Sequence, residues 1–135
     1  MSRSSRRFAT LLLDSEGLSK LAAKDPVAVQ WVTLAQKLDA RVLVAWVTLA
    51  EALEGPRTSA TRYTLSRLVL EPHVERDFTT AADLMTTTAM GGHTVDAVLM
   101  AVASRLEKPV LIVTSDPGDL RQLAQGTTGV AVSQV

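Results

Sequence analysis

Val110-Leu111-Ile112-Val113-Thr114-Ser115-Asp116-Pro117-Gly118-Asp119 decides how this chain folds. The continuous apolar run Val110 to Thr114 predicts a strand buried on both faces, as in a parallel sheet. Asp116-Pro117-Gly118-Asp119 then predicts a helix start, with proline at the first helical position and an acid at the third. The same order occurs at the other end of the chain, where Phe8-Ala9-Thr10-Leu11-Leu12-Leu13 runs into Asp14. A charge at the end of a buried strand is costly unless it has a partner or a task. If the two strands are parallel neighbours, Asp14 and Asp116 face one crevice at the carboxyl edge of the sheet, where open α/β folds bind ligands.

Working outward, strands and helices alternate. Asp14-Ser15-Glu16-Gly17 reads as a turn in which Asp14 or Ser15 caps the helical turns Leu18 to Ala23. Asp25-Pro26 restarts a helix with the stripe Val27, Trp31, Leu34 and Leu38. Arg41 to Ala45 is a second strand, and Thr48 to Leu53 turns helical, with Glu51 and Glu54 on one side. Gly55-Pro56 breaks that helix. Ser59 to Leu68 reads as a helix and Val69 to Val74 as a short extended piece. Asp77 or Thr79 caps the next helix. Gly91-Gly92 precedes a helix from Thr94 to Leu106, with Val95, Val98, Leu99, Val102 and Leu106 inward. The segment after Asp116 forms a short helix ended by Gly126, and Val130 to Val135 is a last strand. This alternation predicts one α/β domain, a three-layer α/β/α sandwich with a mostly parallel central sheet and right-handed crossovers. The sequence leaves the strand order open.

Composition narrows the function. The chain has 135 residues, 47% of them hydrophobic, enough for one domain with a real core. No apolar run approaches the ~18 residues needed to span a bilayer, and the basic start (residues 1–7, expected as a disordered tail) lacks a secretory core. A cytoplasmic, membrane-free protein is expected. The absence of cysteine removes disulfides, thiolate catalysis and cysteine-ligated zinc. Two histidines, His73 and His93, are too few for a multi-histidine zinc site. His93 precedes the Asp96 helix and reads as a loop or capping residue. Fourteen basic residues balance 14 acidic ones, so nucleic-acid affinity would need a local patch. Arg57, Arg62 and Arg67, with Arg3, Arg6 and Arg7, are candidates, although a solvated helix face and a disordered tail are the more ordinary explanation, since charge runs are usually surface. Trp31 and Trp46 read as core or dimer-interface anchors.

Four carboxylates from four segments carry the chemistry: Asp14, Glu51, Asp96 and Asp116. Clustered acids repel, and such a cluster usually holds a hard cation. Magnesium or manganese takes oxygen ligands, keeps several waters and can activate one of them against a phosphodiester. Each acid alone has a plainer reading. Asp14, Asp96 and Asp116 suit helix starts, and Glu51 suits a surface. The signal is their joint placement.

The ordered motifs Leu13-Asp14-Ser15, Thr48-Leu49-Ala50-Glu51-Ala52-Leu53, His93-Thr94-Val95-Asp96-Ala97-Val98 and Val113-Thr114-Ser115-Asp116-Pro117-Gly118-Asp119 span essentially the whole chain. Together they resemble a PIN domain, most closely the VapC-type toxin ribonucleases of bacterial toxin–antitoxin pairs. The resemblance implies a Mg2+- or Mn2+-dependent endoribonuclease whose metal site is Asp14, Glu51, Asp96 and Asp116. Ser15 and Ser115 are implied supporting hydroxyls. Asp119 is either an additional ligand or part of the cap, and Glu51 is preferred over Glu54 because its context matches the motif. An RNA substrate, a cognate antitoxin and a homodimer are the implied partners. Two rivals stand beside this reading. Asp14-Ser15-Glu16 is loosely similar to aspartate-based phosphatases, with Asp14 as nucleophile, and a PIN-like fold can also serve as an inactive binding module.

Overall fold

The structure, a computed structural model, describes residues 8–54 and 58–135. The elements, in chain order, are β1 (Thr10–Leu13), α1 (Ser15–Ala22), α2 (Pro26–Lys37), β2 (Arg41–Ala45), α3 (Trp46–Ala52), α4 (Thr58–Leu65), β3 (Val69–Glu71), α5 (Glu75–Thr87), α6 (Thr94–Arg105), β4 (Val110–Thr114), α7 (Pro117–Ala124) and β5 (Val130–Gln134). The strands form one sheet in the order β3-β2-β1-β4-β5, and every pairing is parallel. The sheet is therefore wholly parallel, in keeping with the parallel sheet expected. Leu13 lies opposite Val44 on one side and Val113 on the other, so the ends of β1, β2 and β4 fall on one edge.

Period-two alternation sorts the strand side chains between two cores. Leu12, Leu43 and Ile112 join Ala81 and Leu84 of α5, the α6 residues Ala97 to Ala103, and Leu120 and Leu123 of α7. Leu11, Leu13, Val44, Leu111 and Val113 face the opposite way, toward Leu18 of α1, Ala35 and Trp31 of α2, and Leu65 of α4. The result is the expected three-layer α/β/α sandwich. Leu11, Leu12, Leu13 and Ile112 are essentially inaccessible to water, and each contributes about 1.5–3 kcal/mol by burial. No described helix is long and apolar enough to cross a membrane.

Several local expectations change. Ser15-Glu16-Gly17 is not a turn but the first turn of α1, because the Asp14 side chain caps it: Oδ1 accepts from the Gly17 amide at 2.7 Å. α2 buries Ala28 and Ala35 instead of Val27, which is 44% exposed. Small residues let the helix lie close to the sheet. Val95 likewise points outward. α3 begins at Trp46, with no loop after β2, and Trp46 is exposed and so not a core anchor. Trp31 does join the core and meets Phe8, with ring centroids 6.3 Å apart. α5 starts after Val74, and Asp77 acts from the third helical position by accepting from the Val74 amide. The Gly55-Pro56 break, Arg57 and the basic start lie outside the described residues.

Gly17 fixes how closely α1 approaches β4. A Cβ there would sit 2.6 Å from the backbone oxygen of Val113. Alanine would gain up to ~1 kcal/mol of helix propensity, while the overlap costs about 1–3 kcal/mol because the obstacle is main chain. Gly17→Ala is expected to lower Tm in thermal unfolding. An equal or higher Tm would show that α1 is free to move away from the sheet.

Candidate metal centre

The chain reverses its direction of travel across the sheet at β1. It leaves β1 for β2 and β3, then returns through α5 and α6 to place β4 on the other flank. A topological switch point opens between the carboxyl ends of β1 and β4, and such a point is a natural crevice. A cleft of about 360 Å3 lies there, lined by Asp14, Glu51, Asp96, Asp116 and Asp119 among others.

Each acid arrives by a different route. Asp14 leaves β1 and is half-buried. Its Oδ1 is engaged by the Gly17 amide, so capping and facing the cleft coexist. Asp96 lies in the first turn of α6, the buried central helix, whose residues 97–103 are all buried. Glu51 is exposed near the end of α3. Asp116 occupies the N-cap position of α7, yet its side chain makes no capping hydrogen bond. The expected cap is absent, and the carboxylate is left to the cleft. The Asp116 amide is satisfied instead by Thr114 Oγ1 at 3.2 Å.

The supporting residues divide. Ser15 lines the cleft, whereas Ser115 does not, and the Ser115 carbonyl accepts from Gln134 Nε2 at 3.4 Å. Glu54 lies beyond α3 and is not a lining residue. Two hydroxyls not singled out from the sequence, Thr48 and Thr114, are buried at the cleft wall. Thr114 is the last residue of β4 and Thr48 lies in the first turn of α3, which follows β2 directly; closeness to a strand's carboxyl end was the available signal. His93 is neither a side-chain cap nor a bystander. Its Nδ1 lies 3.4 Å from Asp119 Oδ2. His93, Asp96 and Asp119 bring three ligand-type atoms within 4.8 Å of one another.

Six lining residues are acidic (Asp14, Glu16, Glu51, Asp96, Asp116 and Asp119), and among the described lining residues none is lysine or arginine. The electrostatic consequence is specific. Burial raises the Asp14 carboxyl to about 6; the Thr114 hydroxyl and Gly17 amide oppose the rise, and Glu16 and Asp96 add to it. Asp96 is raised by burial first, then by Asp119, Glu51 and Asp116, with His93 opposing. Clustered oxygen donors with no lysine or arginine beside them suit a hard divalent cation.

A folded pKa above the unfolded value means that the native state binds the proton more tightly. The unliganded protein therefore loses stability as pH rises from about 4 through 6. Asparagine caps as well as aspartate, so Asp14→Asn retains the Gly17 bond and removes the disfavoured charge. Its metal-free Tm is expected to exceed wild type by about 2–4 °C at pH 7.5, with the gap closing near pH 4. A lower Tm at pH 7.5 would contradict the electrostatic reading.

No protein-family model and no curated protein matches the chain. Solved structures do match it in shape. VapBC2 from Rickettsia felis, bound to a fragment of its promoter DNA, has a chain that superposes with a TM-score of 0.70 at 14% identity, covering 93% of this chain and 98% of that one. For VapBC-1 from nontypeable Haemophilus influenzae the TM-score is 0.65 at 12% identity, with 93% and 97% covered. For FitAcB from Neisseria gonorrhoeae it is 0.62 at 20% identity, with 90% and 95% covered. Full-length correspondence at such low identity establishes shared architecture: this chain has the PIN-like fold of the VapC type.

Proposed function

We propose that this protein is a divalent-metal-dependent endoribonuclease and the toxin of a toxin–antitoxin pair. The observation that carries the reading is the meeting of Asp14, Glu51, Asp96 and Asp116 in one cleft at the switch point, with no lysine or arginine among its described lining residues. An anionic phosphodiester would be repelled from such a cleft unless a cation stood between. The PIN-like fold supports the same reading, as do solved relatives that are VapBC and Fit assemblies.

In this reading Asp14, Asp96, Asp116 and Glu51 are the residues that would hold Mg2+ or Mn2+. The bound ion would offset phosphate charge and lower the pKa of its water. The protein's own groups do the rest. Asp14 is oriented by its bond to Gly17. The Ser15 and Thr114 hydroxyls can orient water or a phosphate oxygen. His93 and Asp119 stand as a polar pair at the rim, with side chains 41% and 52% exposed. α4 and the turn after it contribute a candidate backbone-binding face: Arg62 is exposed, and the Arg67 guanidinium lies 6.0 Å from the centre of the exposed Tyr63 ring. Arginine with an exposed aromatic ring suits single-stranded RNA. A homodimer and a cognate antitoxin that covers the cleft complete the proposal, in line with the VapC resemblance.

Purified protein is expected to cleave single-stranded RNA with Mg2+ or Mn2+, and EDTA is expected to abolish cleavage. Asp14→Asn and Asp96→Asn should each lose at least about 100-fold in rate while staying folded by circular dichroism. EDTA-insensitive cleavage, or full activity in both variants, would falsify the assignment.

A further inference from the structure

His73 does not line the cleft, yet it bonds directly to the helix that carries Glu51. α3 follows β2 without a loop, and its N-cap residue, Ala45, has no side chain able to cap it. The Val47 amide donates instead to His73 Nε2, at 2.7 Å and 26 positions away. An N–H donor requires a bare nitrogen, so the ring is neutral and carries its proton on Nδ1. That nitrogen faces Asp77 Oδ2 at 3.3 Å.

Asp77 is itself locked. It is 1% exposed. Arg105 grips both carboxylate oxygens, Nε to Oδ1 at 2.7 Å and Nη2 to Oδ2 at 3.0 Å, and the Val74 amide adds a third donor at 3.0 Å. Burial would push this carboxyl up, but the bonds from Arg105, Val74 and His73 outweigh it and hold it below the usual range. The same guanidinium binds Glu71 Oε2 at 2.7 Å and the Pro72 carbonyl at 2.9 Å, which fixes the residues just before His73. A continuous hydrogen-bonded chain thus runs from α6 through α5 and the β3–α5 connection to the first turn of α3.

α3 has only seven residues, too few to hold its own direction without tertiary support. Thr48 and Glu51 both line the cleft, and Glu51 follows Val47 by one helical turn. We infer that His73 is a positioning residue for Glu51: the Arg105–Asp77–His73 chain supplies a side-chain cap from outside the helix and sets where α3 points. The catalytic consequence rests on the metal-dependent nuclease reading, whereas the cap does not.

The wild-type protein provides the first test. Nitrogen-15 NMR of His73 should show the Nδ1–H tautomer, with a scalar coupling across the hydrogen bond between Val47 N and His73 Nε2. An Nε2–H tautomer, or a protonated ring at pH 7.5, would overturn the proposal. His73→Ala removes the acceptor, and His73→Gln keeps an amide oxygen within reach of Val47. Amide exchange from Val47 to Leu53 should quicken by about fivefold or more in His73→Ala and return toward wild type in His73→Gln. RNA cleavage by His73→Ala should lose about tenfold or more in kcat with KM little changed, and His73→Gln should recover most of it. Equal loss in the two variants, or unchanged exchange in His73→Ala, would overturn the assignment. Should His73→Ala fail to fold, His73→Gln exchange and the wild-type tautomer decide. Should wild type cleave no RNA, the nuclease reading fails, and tautomer and exchange still judge the cap.

Discussion

The constraint on which this molecule depends is the parallel pairing of β1 with β2 and β4 at once. β1 is the central strand, only four residues long, and all four are buried. Because Leu13 is in register with both Val44 and Val113, the next residue on each strand emerges at the same height. For β1 that residue is Asp14. The helices that follow leave the same edge, and α6 points its first turn at it. Residues 82 positions apart, such as Asp14 and Asp96, therefore share a cleft without any direct bond between them. A slip of one residue in a fully buried parallel pair would turn every side chain to the wrong face, so the hydrophobic cores that stabilise the fold also align the acids.

That alignment opposes stability locally. Burial and mutual repulsion raise both Asp14 and Asp96, and the cleft offers no lysine or arginine among its described residues. Elsewhere the fold handles a buried carboxylate differently. Asp77, more deeply buried, is paired with Arg105, a main-chain amide and a histidine. The contrast between one acid held by a guanidinium and a group of acids without one supports the proposed metal site, since perturbed carboxylates gathered in a cleft are candidates for function.

Much of this was legible in the chain. Continuous apolar runs ending in Asp14 and Asp116 announced buried parallel strands, and the helix expected from Thr94 to Leu106 is α6. The strand order was not legible, because pairing between β1 and β4 joins segments about 100 residues apart and leaves no local pattern. Helix rotation was also hidden. In α2 the inward positions are Ala28 and Ala35 instead of the bulkier Val27, since closeness of approach selected small side chains. Asp116 looked like a cap from its Pro-Gly context, and it occupies the N-cap position, but its side chain makes no capping bond. The role of His73 was out of reach because its partner is a backbone amide in a distant helix. His93 was visible only as a residue beside Asp96, and its approach to Asp119 needs α6 and α7 to be packed together.

Diffraction from crystals soaked in Mn2+ tests the central claim most directly. An anomalous peak is expected inside the cleft, within coordination distance of at least two of Asp14, Asp96 and Asp116. A peak elsewhere on the surface with the cleft empty at millimolar Mn2+ would contradict it.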